Sequence, residues 1–132
     1  MREIVFRGKR IDNGEWVEGY YYKSKFYRTD KELSDYITIP YPDEENRGSD
    51  HFIVIPETVG QYTGLCDITR TKIFEGDIVK ATISKFGGGY VSTIITVALD
   101  DYELMYDIER SDILEVIGNT HDNPVLLKGG DE

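Results

Sequence analysis

From Val91 to Leu99 the chain alternates as a pleated strand does. Val91, Thr93, Ile95, Val97 and Leu99 fall on one side, and Ser92, Ile94, Thr96 and Ala98 on the other. A period of two belongs to a half-buried antiparallel strand. Nowhere does an apolar period of 3.6 persist for ten residues, so no long amphipathic helix is available. A chain patterned this way has to bury itself as sheets. About eight to ten short strands at close spacing are readable, which is the pattern of a sandwich or barrel.

The other strand signals agree. Ile4 to Ile11 and Glu15 to Lys23 flank Asp12-Asn13-Gly14, and Asn-Gly supplies the positive backbone angles a tight hairpin needs. Tyr36 to Ile39 is a short strand ended by Pro40 and Pro42, and His51 to Ile55 is stopped by Pro56. Residues 41–50 between them are polar and read as a surface loop. Ile78 to Ser84 is β-branched and apolar, and Gly87-Gly88-Gly89 turns it into the alternating strand. Asp100-Asp101 then turns the chain into Tyr102 to Ile108, read as a further strand-like run. Arg110 to Asp112 is read as a single 3₁₀ turn, and Leu114 to Ile117 as the last strand. The fold class is all-β: a short-stranded N-terminal β subdomain packed on a C-terminal SH3-like small barrel. The chain is one domain, 1–132, with its subdivision near Gly64 to Thr71. Residues 1–64 form the hairpin and sheet part, 65–127 the barrel part with five strand-like runs in 72–118, and 128–132 a tail.

Charge narrows the partners. The 132 residues carry a formal charge of −10. Residues 1–31 hold eight basic and five acidic side chains, a net of +3; the rest hold seven and twenty, a net of −13. Asp100 to Glu115 is densest, with Asp100, Asp101, Glu103, Asp107, Glu109, Asp112 and Glu115 against Arg110 alone. Nucleic-acid affinity is built on Lys and Arg displacing counterions, so the charge argues against a nucleic-acid partner and permits a basic protein one, while its ordinary role is to keep a small β protein soluble. The opening residues offer no signal-peptide apolar core, and the uncharged stretch Phe86 to Leu99 is too short to span a bilayer. With Cys66 the single thiol, a disulfide scaffold is excluded and the expected setting is a reducing cytoplasm, without a membrane.

Reactive chemistry is sparse. His51, Cys66 and His121 match no zinc spacing. A calcium loop counted from Asp43 places Gly48 correctly, but Arg47 falls at position five and Val54 where a bidentate glutamate belongs. Cys66 has no basic neighbour before Arg70 and reads as a half-buried structural thiol. The triple glycine lacks the Lys-Ser or Lys-Thr of a phosphate loop. The expectation is a non-enzyme with no metal and no cofactor.

Tyrosine is the remaining compositional signal, ten of them in the chain. Tyr20, Tyr21 and Tyr22 run together, and alternation sends Tyr21 to the face opposite its neighbours. Tyrosine brings large contact area at low entropy cost, so it suits a partner or subunit interface, while β proteins also use it heavily as sheet material. The candidate partner surface is Asp100, Asp101 and Glu103 with Tyr20, Tyr21 and Tyr22.

Three segments carry a resemblance: REIVFRGKRIDNGEWVEG at the start, PETVGQYTGLCDITRTKIFEGDIV from Pro56 to Val79, and VIGNTHDNPVLL from Val116 to Leu127. With QYTGL, EGDIV and VIGN-x-x-x-NP in this order, the chain resembles the YopX family of phage and prophage proteins over roughly residues 2–127. Where that family usually places Asp-x-Asn-Gly, this chain reads Asp67-Ile68-Thr69-Arg70-Thr71-Lys72, which leaves the turn type open. It also lacks a tryptophan often found between EGDIV and VIGN. The motifs have a folding explanation: Gly60 and Gly64 for turns or bulges, Thr63 and Asp77 for backbone bonds, Asn123-Pro124 for a chain reversal. The resemblance implies a mobile-element origin, a mostly β fold and a cytoplasmic setting in a bacterial host, and it brings no functional residues with it. The expected function is a phage or prophage accessory protein that binds another protein, as a homo-oligomer or as an acidic DNA mimic. The alternative is a nucleic-acid-binding SH3-like module.

Overall fold

The computed structural model describes residues 5–25, 33–40 and 48–126. The start of the tested calcium loop at Asp43, Tyr27, Tyr41 and the 128–132 tail lie outside the described residues. The chain forms two compact units, the first ending at Gln61 and the second beginning at Tyr62. The division falls inside a strand.

In the first unit the strands are β1 (Phe6–Lys9), β2 (Trp16–Ser24), β3 (Ser34–Pro40) and β4 (Ser49–Ile53). They pair antiparallel in the order β4-β3-β2-β1. The Asn-Gly hairpin is present, with Gly14 at φ 73° and a loop closed by Arg10 N–H on the Glu15 carbonyl at 2.8 Å. A 3₁₀ turn at Pro56–Thr58 follows, and the first residues of β5 (Gly60–Cys66) return to β1, Gly60 opposite Arg7 and Gln61 opposite Phe6. Tyr36, Ile37 and Val54 are fully buried. β1 passes close over Val54: a Cβ on Gly8 would stand 2.9 Å from that side chain, so only glycine fits.

In the second unit β5 continues and pairs with β6 (Lys72–Phe74), with a register irregularity between Tyr62 and Cys66 around Gly64, whose φ is 89°. β7 (Asp77–Ser84) is the centre of a three-stranded antiparallel sheet ordered β8-β7-β9, where β8 is Tyr90–Thr96 and β9 is Ile113–Asn119. The triple glycine forms the β7–β8 tip, all three residues at positive φ. Ile73, Val79, Val97 and Ile108 form the buried core, with Leu65, Ile95, Leu104, Met105, Leu114 and Val116 packed around it.

One segment departs from expectation. Tyr102–Glu109 is not a strand but an α-helix, α1, so residues 72–118 hold four strands and a helix instead of five strand-like runs. The reasons are local. Asp101 caps the helix by accepting from Leu104 N–H, Glu103 sits favourably in the first turn, and Leu104, Met105 and Ile108 turn one stripe to the core. Arg110 to Asp112 is the helix exit: Ser111 N–H closes it on the Ile108 carbonyl at 3.2 Å. The all-β class holds: the described residues form two antiparallel sheets and one α-helix of eight residues. Among the described residues no helix is long and apolar enough to cross a membrane.

Candidate interaction surface

The three consecutive tyrosines of β2 go to three environments. Tyr20 is exposed. Tyr21, on the opposite face, donates its hydroxyl to Asp35 Oδ2 at 2.7 Å and packs against Phe6 with ring centroids 5.4 Å apart. Burial first, then the hydrogen bond and the charge of Asp35, push the Tyr21 phenol up to about 12. Tyr22 stacks on Tyr36 at 5.1 Å, and its hydroxyl lies 2.8 Å from His51 Nδ1. The run is therefore not one contact patch. Tyr21 and Tyr22 are engaged within the first unit, and Tyr20 alone projects.

His51 stands in a hydroxyl network that sequence reading missed. Its Nδ1 also faces Thr38 Oγ1 at 2.9 Å, and its Nε2 faces Ser49 Oγ at 3.1 Å. Cross-strand register places Thr38 opposite His51, so the network follows from the β3–β4 pairing. It borders a cleft of about 280 Å³ lined by Arg10, Asp12, Tyr36, His51 and Phe52 among others. Arg10 forks onto Asp12 at 2.9 and 2.7 Å and lies 4.5 Å over the Phe52 ring. That hydrogen bond above all holds the Asp12 carboxyl below its ordinary range.

The acidic residues divide by task. Asp101 caps α1, Asp107 accepts from Arg110 Nε at 3.1 Å, and Asp112 accepts from Ser84 N–H at 2.6 Å. Asp100 and Glu103 are exposed beside them. The residues that α1 turns outward include two that sequence reading did not single out. Tyr102 and Tyr106 are 86% and 65% exposed, one helical turn apart, and border an open groove of about 350 Å³ with Glu103 and Asp107. The chain's own Arg110 lies 5.6 Å over the Tyr106 ring. The four-residue Tyr spacing after an Asp cap was the available signal, invisible while the segment was read as a strand.

Cys66 is exposed rather than half-buried, with its Sγ 3.4 Å from the Tyr62 hydroxyl. It is the last residue of β5, paired opposite Lys72, and its side chain faces outward. Among the described residues no group of three or more His, Cys, Asp or Glu is placed to hold a metal.

The sequence motifs resolve into folding devices. Thr63 Oγ1 donates to the Ile73 carbonyl at 2.7 Å and accepts from Leu65 N–H at 3.1 Å. Asp77 Oδ2 accepts from Phe74 N–H at 2.8 Å, across the turn that Gly76 makes at φ 87°. Asn123 Oδ1 accepts from Asn119 N–H at 3.2 Å, while Asn119 Oδ1 accepts from His121 and Asp122. In the 67–71 turn the left-handed position that Asn-Gly would occupy is taken by Arg70, at φ 70°. A family model described as YopX protein matches residues 5–128 of the 132. The chain belongs to the YopX family. No curated protein and no solved structure matches it. The YopX motifs QYTGL, EGDIV and VIGN-x-x-x-NP are thus placed at a bulge, the turn between β6 and β7, and a terminal turn of this protein, and each has its polar side chain on backbone.

Proposed function

We propose that this YopX protein is a non-enzymatic, cytoplasmic accessory protein of a phage or prophage, and that it binds a basic protein surface on the outer face of α1. The observation that supports this reading is the Tyr102–Glu103–Tyr106–Asp107 face. Exposed tyrosine rings attract guanidinium and ammonium groups, and carboxylates beside them add charge-assisted bonds. Arg110, stacked on Tyr106 and bonded to Asp107, is an internal example of the cation such a face takes. In its sharper form the reading makes Asp100, Asp101 and Glu103 stand in for phosphates in a basic groove. The test is affinity capture from a lysogenic host with the wild-type chain and with a Tyr102→Ala/Tyr106→Ala variant. A protein captured by the first and lost by the second supports it; equal capture by both, or turnover of any substrate in a panel, overturns it.

A second reading, a nucleic-acid-binding SH3-like module, is favoured by one observation in the first unit. Arg7 lies 4.7 Å and Lys9 6.0 Å from the Trp16 ring, a basic and aromatic grouping on one face of the β1–β2 hairpin. A low-salt gel shift with short DNA and RNA that weakens steeply with salt would select it.

A further inference from the structure

We propose that the outer edge of β8 seats a second copy of this chain, the two β8 strands pairing antiparallel about Thr93. Among the described residues β8 pairs with β7 alone and lies at the end of its sheet. In an antiparallel ladder alternate residues aim their N–H and C=O to opposite sides. Two bonds fix which is which here. Lys85 N–H bonds the Gly89 carbonyl and Val97 N–H bonds the Asp77 carbonyl, so the odd-numbered residues of β8 face β7. Tyr90, Ser92, Ile94 and Thr96 therefore aim their backbone groups at the open side.

The two edges of this sheet are treated differently. The outer side of β9 is covered by the chain's own turn: Ile68 N–H bonds the Leu114 carbonyl at 2.9 Å, and Asp67 Oδ2 accepts from Val116 N–H at 3.0 Å. Among the described residues β8 has none of the usual edge protection. From Phe86 to Leu99 there is no Lys, Arg, Asp, Glu or Pro. Phe86, Tyr90, Val91 and Ile94 are exposed along it, Phe86 completely.

Charge selects the occupant. Two copies of a chain carrying −10 repel one another, and least where neither bears a charge. The segment 86–99 is such a place. Symmetry agrees, since an antiparallel strand pair is its own complement under a two-fold axis. With Thr93 on the axis, Tyr90 faces Thr96 of the second copy and Ser92 faces its Ile94. Every outward N–H then meets an outward carbonyl.

Sedimentation of the full chain from low to high micromolar concentration tests this. The expected result is a mass rising from 15.1 kDa toward twice that value. Ser92→Pro, which removes an outward N–H and no backbone bond to β7 while losing the 2.8 Å hydroxyl contact with Thr82, and Ile94→Lys, which puts a charge on the edge, should each hold the chain monomeric with its circular dichroism unchanged. Hydrogen exchange of the wild type serves if either variant misfolds. The amides of Tyr90, Ser92, Ile94 and Thr96 should slow at least several-fold as concentration rises. A wild type that stays monomeric, a dimer that persists in both folded variants, or exchange at these four amides independent of concentration would overturn the proposal.

Discussion

Asp67 Oδ2 accepts a hydrogen bond from the Val116 N–H at 3.0 Å, across 49 residues of chain. The other oxygen of the same carboxylate, Oδ1, takes Thr69 N–H, Thr69 Oγ1 and Thr71 N–H at 2.8 to 2.9 Å. One buried side chain thus forms the 67–71 turn and fastens it along β9. Burial by itself raises a carboxyl pKa, but the bonds from Val116, Thr69 and Thr71 outweigh it and hold Asp67 below the ordinary 3.8.

Removing that carboxylate strands several backbone donors at once. Asp67→Ala is expected to cost about 2–3 kcal/mol, the scale of bonds to a charged acceptor, read by urea denaturation. Asp67→Asn keeps one acceptor oxygen and should lose less. The pH dependence has a definite sign. A carboxyl whose folded pKa is depressed contributes stability that is present above the unfolded value of about 3.9 and disappears as pH falls through the folded one. Acid denaturation of the wild type should therefore show a loss below pH 4 that Asp67→Asn lacks.

Tyr21 gives the opposite limb. Its phenol is pushed up to about 12 by burial and by its bond to Asp35. A raised folded pKa contributes stability that is complete below the unfolded value of about 10 and is lost as pH climbs through 12. Tyr21→Phe should flatten the stability curve over that interval and remove one tyrosinate from the ultraviolet titration near its upper end. At neutral pH the same variant leaves buried Asp35 without this hydroxyl donor, at an expected cost of about 1.5–3 kcal/mol.

What could be read from the sequence was what neighbouring residues decide. Asn13-Gly14 and Gly87-Gly88-Gly89 announce their hairpins because only residues at ease with positive φ serve there. Alternation separates Tyr21 from Tyr20 and Tyr22 correctly, but which residue each tyrosine meets depends on register with β3, set many residues later. α1 was hidden by its length. Eight residues give two turns, and Leu104, Met105 and Ile108 are too few for a period to emerge beside so many acids. Once the helix was missed, the pairing of Tyr102 with Tyr106 was missed with it. Asp67 looked like a loop residue since its decisive partner, Val116, is remote in sequence.

Gly118 explains why the VIGN motif needs its glycine. A Cβ there would stand 2.6 Å from Asn123 Oδ1 and 2.9 Å from Leu126 Cδ1. That Asn123 oxygen is the acceptor for Asn119 N–H, so it cannot retreat without opening the turn. Gly118→Ala should destabilise by about 1–3 kcal/mol, the cost of overpacking. Amide exchange at Asn119 and Asn123 should quicken in the variant, while that of the β7–β8 amides changes far less.

Asp101 is where structure and function can be separated in one residue. Its carboxylate caps α1, and α1 carries Ile108 into the core. Asp101→Ala should cost about 1 kcal/mol, whereas Asp101→Asn, an equally good cap, should change stability by only a few tenths. Charge is lost in both. The triple variant Asp100→Asn/Asp101→Asn/Glu103→Gln therefore keeps the helix while deleting three negative charges beside Tyr102 and Tyr106. If these acids imitate phosphates, a basic partner captured by the wild type is lost to this variant at low salt, with thermal stability unchanged. Retained binding would leave Asp101 with a capping role alone.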